Sequence, residues 1–200
     1  VLVLLPLVVF RRGALAVERA PKLKILAYFL CLGFGFILVE LGLMQRFILF
    51  LGHPIYALAV VLATLLGSSA VGSALCARLA AKHGVPGAIT RVTRILAVVL
   101  VGYAVGLGPL FNALLGLPLL VRVAVCVILV GALGVLMGMM LPLGVRTANA
   151  YGQDMVAWAW GLNGAASVGG STLSLIVSMH FGFTATLLLG LAAYLIGAKV

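Results

Sequence analysis

The sequence predicts an all-α membrane protein, and three observations support this fold class. Hydrophobic residues make up 65% of the chain and charged residues only 8%, whereas a soluble domain carries about a quarter charged residues. The apolar residues form runs of about 20, the length that crosses a bilayer as a helix. Backbone amides find no water partner in lipid, so helices, which satisfy them internally, are the expected elements.

Six apolar runs predict six transmembrane helices. They lie at about 25–46, 55–77, 93–110, 119–141, 156–178 and 182–198. The opening VLVLLPLVVF is interpreted as the end of a preceding helix, because its basic pair follows the apolar run, whereas a signal peptide has its charge before it. The chain then divides into 1–24, a helix end with a basic cytoplasmic linker, and 25–200, a six-helix transmembrane domain. This interpretation makes the chain a fragment of a longer polypeptide.

The distribution of basic residues predicts the orientation in the membrane. The net charge is +10, with the basic residues placed between apolar runs. Both chain ends are predicted to be cytoplasmic, because this leaves only Arg46 and Arg122 of the 13 basic residues near the outer side. The chain is thus predicted to be a multi-pass protein of the inner, cytoplasmic membrane. The bilayer is its expected partner, and nucleic acid is not.

Glu40 is the most notable polar residue, because it lies well inside the first predicted span. It is about 22 Å along the helix axis, where insertion of an ionised carboxylate costs about 3 kcal/mol. Arg46 lies about 240° around the same helix, so we expect the partner of Glu40 to come from another helix, with His53 and Arg122 as candidates. Two interpretations stay open: a proton or cation carrier, and a structural pin between helices.

A polar stripe follows the fifth predicted span. Its members share one helix face, at spacings of four, four, three and four residues: Asn163, Ser167, Ser171, Ser174 and Ser178. The stripe either lines a polar cavity or forms the hydrogen-bonding seam of a helix pair. The candidate functional or structural polar residues in the membrane are therefore Glu40, Gln45, Arg46, His53, Arg122, Asn163, Ser167 and Ser171.

Small residues at helical spacing indicate where helices pack against each other. In lipid, close approach of backbones at glycine, alanine and serine drives helix association. Such residues are concentrated in the second, fourth and fifth spans, which are expected to contact protein. They include Ser68, Gly72, Gly131, Gly134, Gly138, Gly164 and Gly170.

The sequence contains no motif of a soluble enzyme. P-loop, HExxH and GxSxG patterns are absent. The three acids, Glu18, Glu40 and Asp154, form no pair suited to hydrolysis. The three cysteines lie in separate apolar runs without a CxxC or Cys/His pair. We therefore predict no catalytic, cofactor or metal site, and expect these 200 residues not to be an enzyme.

Three stretches resemble a known family. Residues 32–62, 137–146 and 157–171 are similar to the C-terminal membrane half of bacterial spermidine-synthase-like (polyamine aminopropyltransferase-like) membrane proteins. The residues that carry the resemblance are Glu40, Gln45, Arg46, Gly52, His53, Pro54, Tyr56, Gly138, Pro142, Leu143, Gly144, Arg146 and the run from Trp158 to Gly164. The resemblance implies a membrane domain beside a cytoplasmic aminopropyltransferase-like domain. It transfers no catalytic residue, because the family's catalytic residues belong to that soluble domain.

The predicted six-helix layout is also distantly similar to half of a major-facilitator transporter. In that superfamily, the loop after the second helix carries a glycine, an acid and basic residues. Here GSALCARLAAKHG (72–84) has the glycine and the basic residues but lacks the acid. Two functions are therefore expected: a non-catalytic domain that anchors or scaffolds a cytoplasmic domain or a larger membrane complex, or half of a transporter with Glu40 and His53 on the transport or proton path.

Overall fold

The computed structural model describes residues 19–199, which form four α-helices. They are α1 (Arg19–Leu51), α2 (Pro54–Leu114), α3 (Leu119–Asn149) and α4 (Gln153–Lys199). By length and composition, each of them could cross a membrane, which confirms the all-α class and is consistent with a membrane protein. The preceding helix expected before the first span falls on residues 1–18, outside the described residues.

The prediction of six transmembrane helices is wrong. Helical structure continues through residues 78–92 and past residue 180, where loops were expected, so α2 has 61 residues and α4 has 47. Basic residues such as Arg78 and Lys82 lower the local hydropathy, but arginine and lysine are good helix formers. A drop in hydropathy therefore does not end a helix here. The first helix also begins before residue 25, at Arg19.

One glycine in each long helix redirects the chain. Gly84 has φ 70° and ψ 164°, and Gly182 has φ 81° and ψ 169°, both non-helical. Glycine reaches positive φ without a steric penalty, so one residue turns the chain without a loop. We term the parts on either side the first and second arms. They are residues 54–83 and 85–114 of α2, and 153–181 and 183–199 of α4.

The two arms of α4 both lie along α1 and are antiparallel to each other. On the first arm, Asn163 reaches Phe29 and Ser167 reaches Gly33, so this arm runs parallel to α1. On the second arm, Thr184 reaches Arg46 and a Cβ on Gly197 would contact Cys31, so the sequence runs in the opposite direction along α1. These segments form one half of the molecule, the α1–α4 half.

The arms of α2 lie in the same way along α3 and form the α2–α3 half. Ser69 of the first arm donates to the carbonyl of Gly134 at 3.2 Å. Tyr103 of the second arm donates to the carbonyl of Leu129 at 2.7 Å. Packing within each half is much more extensive than packing between the halves.

Close backbone contacts at small residues hold each half together. A Cβ on Gly72 would overlap the backbone of Val135, and a Cβ on Gly33 would overlap the carbonyl of Asn163. The expected packing role is confirmed for Gly72 and Gly138, where a Cβ would meet backbone atoms, and for Gly134 and Gly170, where it would meet the side chains of Ser68 and Ile37. It is wrong for Gly164, whose Cβ would meet nothing within 4 Å.

The two ends of the bundle differ in charge. At one end α1 begins, α2 turns at Gly84, α3 ends, and α4 both begins and ends. We term it the basic end, because it carries Lys22, Lys24, Arg78, Lys82, Arg91, Arg146 and Lys199. At the opposite end α1 ends, α2 begins and ends, α3 begins, and α4 turns at Gly182.

Candidate functional site

A cavity of about 450 Å³ lies between the two halves. All four helices contribute to its wall, which is mostly apolar. Its polar lining comes from Ser69 and Ser73 on the first arm of α2, and from Asn163 and Ser167 on the first arm of α4. Few polar groups on an apolar wall are typical of a small-molecule site. We term this the central cavity.

Asn163 and Ser167 line the central cavity and also tie α4 to α1. The Asn163 amide nitrogen donates to the carbonyl of Phe29 at 3.3 Å. The Ser167 hydroxyl lies 3.3 Å from the carbonyl of Gly33 and 3.0 Å from that of Asn163. The hydrogen-bonding seam is therefore the interpretation that fits these two residues, and the cavity that they line is mostly apolar instead of polar.

Beyond Ser167 the polar stripe makes only local hydrogen bonds. Ser171 donates to the carbonyl of Val168 at 2.7 Å, and Ser178 donates to that of Leu175 at 3.0 Å. The buried hydroxyl of Ser174 has no hydrogen-bond partner within the described part of the chain. The stripe is thus an interhelical seam at its first two members only, and Ser171 does not line the central cavity.

Glu40 lies one helical turn beyond the cavity wall of α1. Leu32 and Phe36 line the central cavity, and the spacing of four residues places Glu40 on their face, about 6 Å further along the axis. The side chain is partly buried. Within residues 19–199, its carboxylate has no hydrogen-bond or ion-pair partner. Glu40 interacts electrostatically with Tyr194, a buried tyrosine on the second arm of α4.

The structure does not bring the expected partners to Glu40. His53 is exposed before the first turn of α2, where its ring lies edge-on to Tyr56 with centroids 5.6 Å apart. Arg122 donates from Nη1 to the carbonyl of Phe50 at 2.9 Å. That carbonyl is in the last turn of α1, which has no intrahelical donors left, so Arg122 caps the end of this helix.

Gln45 and Arg46 lie toward the opposite end of the bundle. Arg46 donates from Nη2 to the Thr184 hydroxyl and thereby joins α1 to the second arm of α4. The Gln45 Oε1 atom and the Nε atoms of Arg46 and Arg122 are buried without a protein hydrogen-bond partner within residues 19–199. Arg46 also lines a separate cavity of about 260 Å³ with Asn112. The sequence-predicted residues are therefore distributed over several places and form no single site.

His83 and Arg91 form a polar pair at the turn of α2, outside the apolar segments. The Nη1 atom of Arg91 lies 2.6 Å from Nε2 of His83. Desolvation, together with the positive charges of Arg91 and Lys82, lowers the pKa of His83 below its usual value. The neutral ring can accept the arginine hydrogen at Nε2, and protonation would remove that acceptor.

Metal-ligating side chains are few and scattered within residues 19–199. Groups of three or more histidine, cysteine or acidic side chains able to hold a metal ion are absent from that part of the chain. Cys31, Cys76 and Cys126 are free and lie on three different helices.

Sequence reasoning missed four polar residues that the structure places at the central cavity or beside Arg46 and Glu40. They are Ser69, Ser73, Thr184 and Tyr194. The first two were visible as part of a small-residue cluster, but that pattern indicates packing and does not distinguish a cavity wall. For Thr184 and Tyr194 the local sequence contains no signal, because their roles depend on residues of α1 about 140 to 160 positions away along the chain.

Comparison with known proteins identifies no relative. No protein-family model matches this sequence, and no significant match to a curated protein or to a solved structure was found.

Proposed function

We propose that this chain is a non-catalytic membrane domain that anchors or scaffolds a cytoplasmic domain or a larger membrane complex. The observation that carries the proposal is the close backbone packing within each half. Where backbones meet at glycine, neither helix can shift without breaking many contacts, so each half is rigid.

Hydrogen bonds between the halves add to this framework. The Tyr28 hydroxyl on α1 donates to the carbonyl of Met140 on α3 at 2.7 Å, within the buried interior. Arg122 joins α3 to the last turn of α1. Buried hydrogen bonds in an apolar setting are costly to leave unmade. Such links favour a static role for the domain.

The partner of the scaffold is proposed from charge and from the sequence resemblance. The basic end suits the cytoplasmic side of a bacterial inner membrane, because anionic lipid and the positive-inside rule both favour lysine and arginine there. A cytoplasmic aminopropyltransferase-like domain, as in the spermidine-synthase-like membrane proteins that the sequence resembles, would then adjoin this end. Other membrane subunits would cover the exposed apolar faces of the helices.

The scaffold proposal is tested on the protein extracted from its native membrane in mild detergent. Native mass spectrometry should find the chain in a stable complex, or as part of a longer polypeptide with a soluble domain. Glu40→Gln should leave the complex intact, because the carboxylate has no hydrogen-bond partner within residues 19–199. Gly138→Leu should dissociate it, because the new side chain would overlap the backbone of Ser69. A chain that remains alone under all conditions contradicts the proposal.

A second candidate function, half of a proton-coupled transporter, is favoured by the central cavity. This cavity lies between the two halves, carries four polar side chains and has Glu40 one turn beyond its wall. Intramembrane acids often line proton paths. His53, which is exposed at a helix start, is not supported as a member of such a path.

The transport alternative is tested by proton flux in proteoliposomes. A potassium gradient with valinomycin imposes the membrane potential, and an enclosed pH dye reports proton entry. Under this alternative Glu40→Gln abolishes the flux, while Ser171→Ala, outside the central cavity, leaves it unchanged. Equal flux in both variants and in protein-free liposomes eliminates the alternative and leaves the scaffold proposal untouched.

A further inference from the structure

A second cavity, of about 350 Å³, opens at the basic end of the bundle. All four helices and the connection between α3 and α4 contribute to its wall. It is separate from the central cavity, since none of its lining residues is shared with that site. We term it the basic-end cavity.

The charged groups that line the basic-end cavity are both cationic. They are Lys24 on α1 and Lys199 at the end of α4. Within residues 19–199, no carboxylate lines the cavity. Of the two acids within residues 19–199, Glu40 lies about 24 Å further along α1 than Lys24, and Asp154, in the first turn of α4 at the same end of the bundle, is not a lining residue. The two ammonium groups therefore give the cavity a positive potential.

The neutral polar groups leave few other hydrogen-bond donors. Thr90 and Thr147 donate their hydroxyl protons to backbone carbonyls of their own helices at 3.0 and 3.4 Å. Tyr28 donates its proton to the carbonyl of Met140. Among contacts within residues 19–199, the ammonium groups and the hydroxyl of Tyr151 have no hydrogen-bond partner, and each of them can donate to a ligand. A ligand that matches them is an anion with several acceptor oxygens.

The remaining wall of the basic-end cavity is apolar. Ile25 and Phe29 from α1 and Ile89 from the second arm of α2 are among its lining residues. A free inorganic anion gains nothing from such a wall, whereas the first methylene groups of an acyl chain do. The cavity also lies at an end of four helices long and apolar enough to cross a membrane, where lipid headgroups are located.

We propose that the basic-end cavity binds an anionic phospholipid, with the headgroup phosphate at Lys24 and Lys199 and the start of an acyl chain against Ile25 and Ile89. The occupant is a lipid rather than a free phosphate, because the charged rim and the apolar wall belong to the same cavity. This site does not depend on either function proposed above.

The test compares lipid affinity in two variants that lose the same charge. Lys24→Ala/Lys199→Ala removes both cations from the cavity, whereas Arg78→Ala/Lys82→Ala removes two exposed cations from the same end but outside it. Each lysine near an anionic lipid contributes about 1 kcal/mol, so the first variant should bind about 30-fold more weakly. The probe is phosphatidylglycerol titrated into the detergent-solubilised chain and followed by native mass spectrometry, with phosphatidylcholine as the neutral comparison.

The outcomes separate the proposal from general electrostatic attraction. A loss of phosphatidylglycerol binding confined to Lys24→Ala/Lys199→Ala supports the site, and Lys24→Gln/Lys199→Gln should reproduce it with side chains of similar length. Thermal unfolding of each variant confirms that the fold is retained. An equal loss in both double variants, or no loss in either, overturns the proposal. Displacement of the lipid by millimolar inorganic phosphate assigns the cavity to a free anion and overturns it as well.

Discussion

Gly138 provides the sharpest test of how the α2–α3 half is held together. In Gly138→Ala the new methyl group would overlap the backbone oxygen, Cα and carbonyl carbon of Ser69 on the first arm of α2. These are backbone atoms of a packed helix, so they cannot rotate away as a side chain could. The two helices must therefore separate locally.

The expected destabilisation follows from two opposing terms. Overpacking of a close contact costs up to about 3 kcal/mol. Alanine is favoured over glycine in a helix by about 1 kcal/mol, which offsets part of this loss. The net decrease in the free energy of unfolding is therefore up to about 2 kcal/mol. A change of this size lowers the melting temperature of a 150–250-residue protein by about 4–8 °C.

Gly131→Ala on the same helix is the matched control. A Cβ there would meet only the Thr64 methyl at 3.7 Å, an ordinary van der Waals contact. This variant should be as stable as the parent chain or more stable, because only the helix-propensity term applies. The pair therefore differs in the backbone contact alone.

Unfolding can be followed by thiol labelling. Cys76 and Cys126 are 3% and 0% exposed, so a thiol-reactive fluorescent dye reaches them only when the helices separate. Melting curves in detergent should place Gly138→Ala below the parent chain and Gly131→Ala at or above it. Equal melting temperatures for the two variants would refute the packing argument.

Two further predictions concern polar contacts. Arg122→Met leaves the Phe50 carbonyl without its donor and should destabilise the protein by about 1.5 kcal/mol, whereas the exposed Arg146→Met should change the same melting curve little. The His83 ring should titrate below its usual pKa in a proton NMR titration. Arg91→Gln should move the titration midpoint of His83 upward, because it removes one of the nearby positive charges that disfavour the protonated ring. A midpoint insensitive to Arg91 would contradict the contribution assigned to this charge, which acts beside desolvation of the ring.

The fold shows that hydropathy predicts apolar helices but not where a helix ends. The apolar runs predicted helices and a membrane protein, because burial in lipid needs only length and composition. The same signal failed at Arg78 and Lys82, where charge suggested a loop but the helix continues to Gly84. Hydropathy measures transfer into lipid, and helix continuity depends on backbone conformation. The two quantities diverge wherever a charged segment is also a good helix former.

The candidate site shows the same division for side chains. The spacing of Asn163 and Ser167 was enough to place them on one helix face. Their roles depended on what lies opposite that face, which is α1 for the hydrogen bonds and α2 for the cavity. Spacing along one helix carries no information about the neighbour that meets it.

By itself, the sequence determined that the chain is built of apolar helices, that several small residues mark close contacts, and that Glu40 is an acid within an apolar segment. Only the tertiary structure decided that α2 and α4 each turn at one glycine, that Arg122 caps α1, and that neither His53 nor Arg122 is the partner of Glu40. The physical reason is the range of the forces involved. Helix formation and partitioning into lipid act within a segment, whereas a partner in space is fixed by packing of residues far apart in the chain.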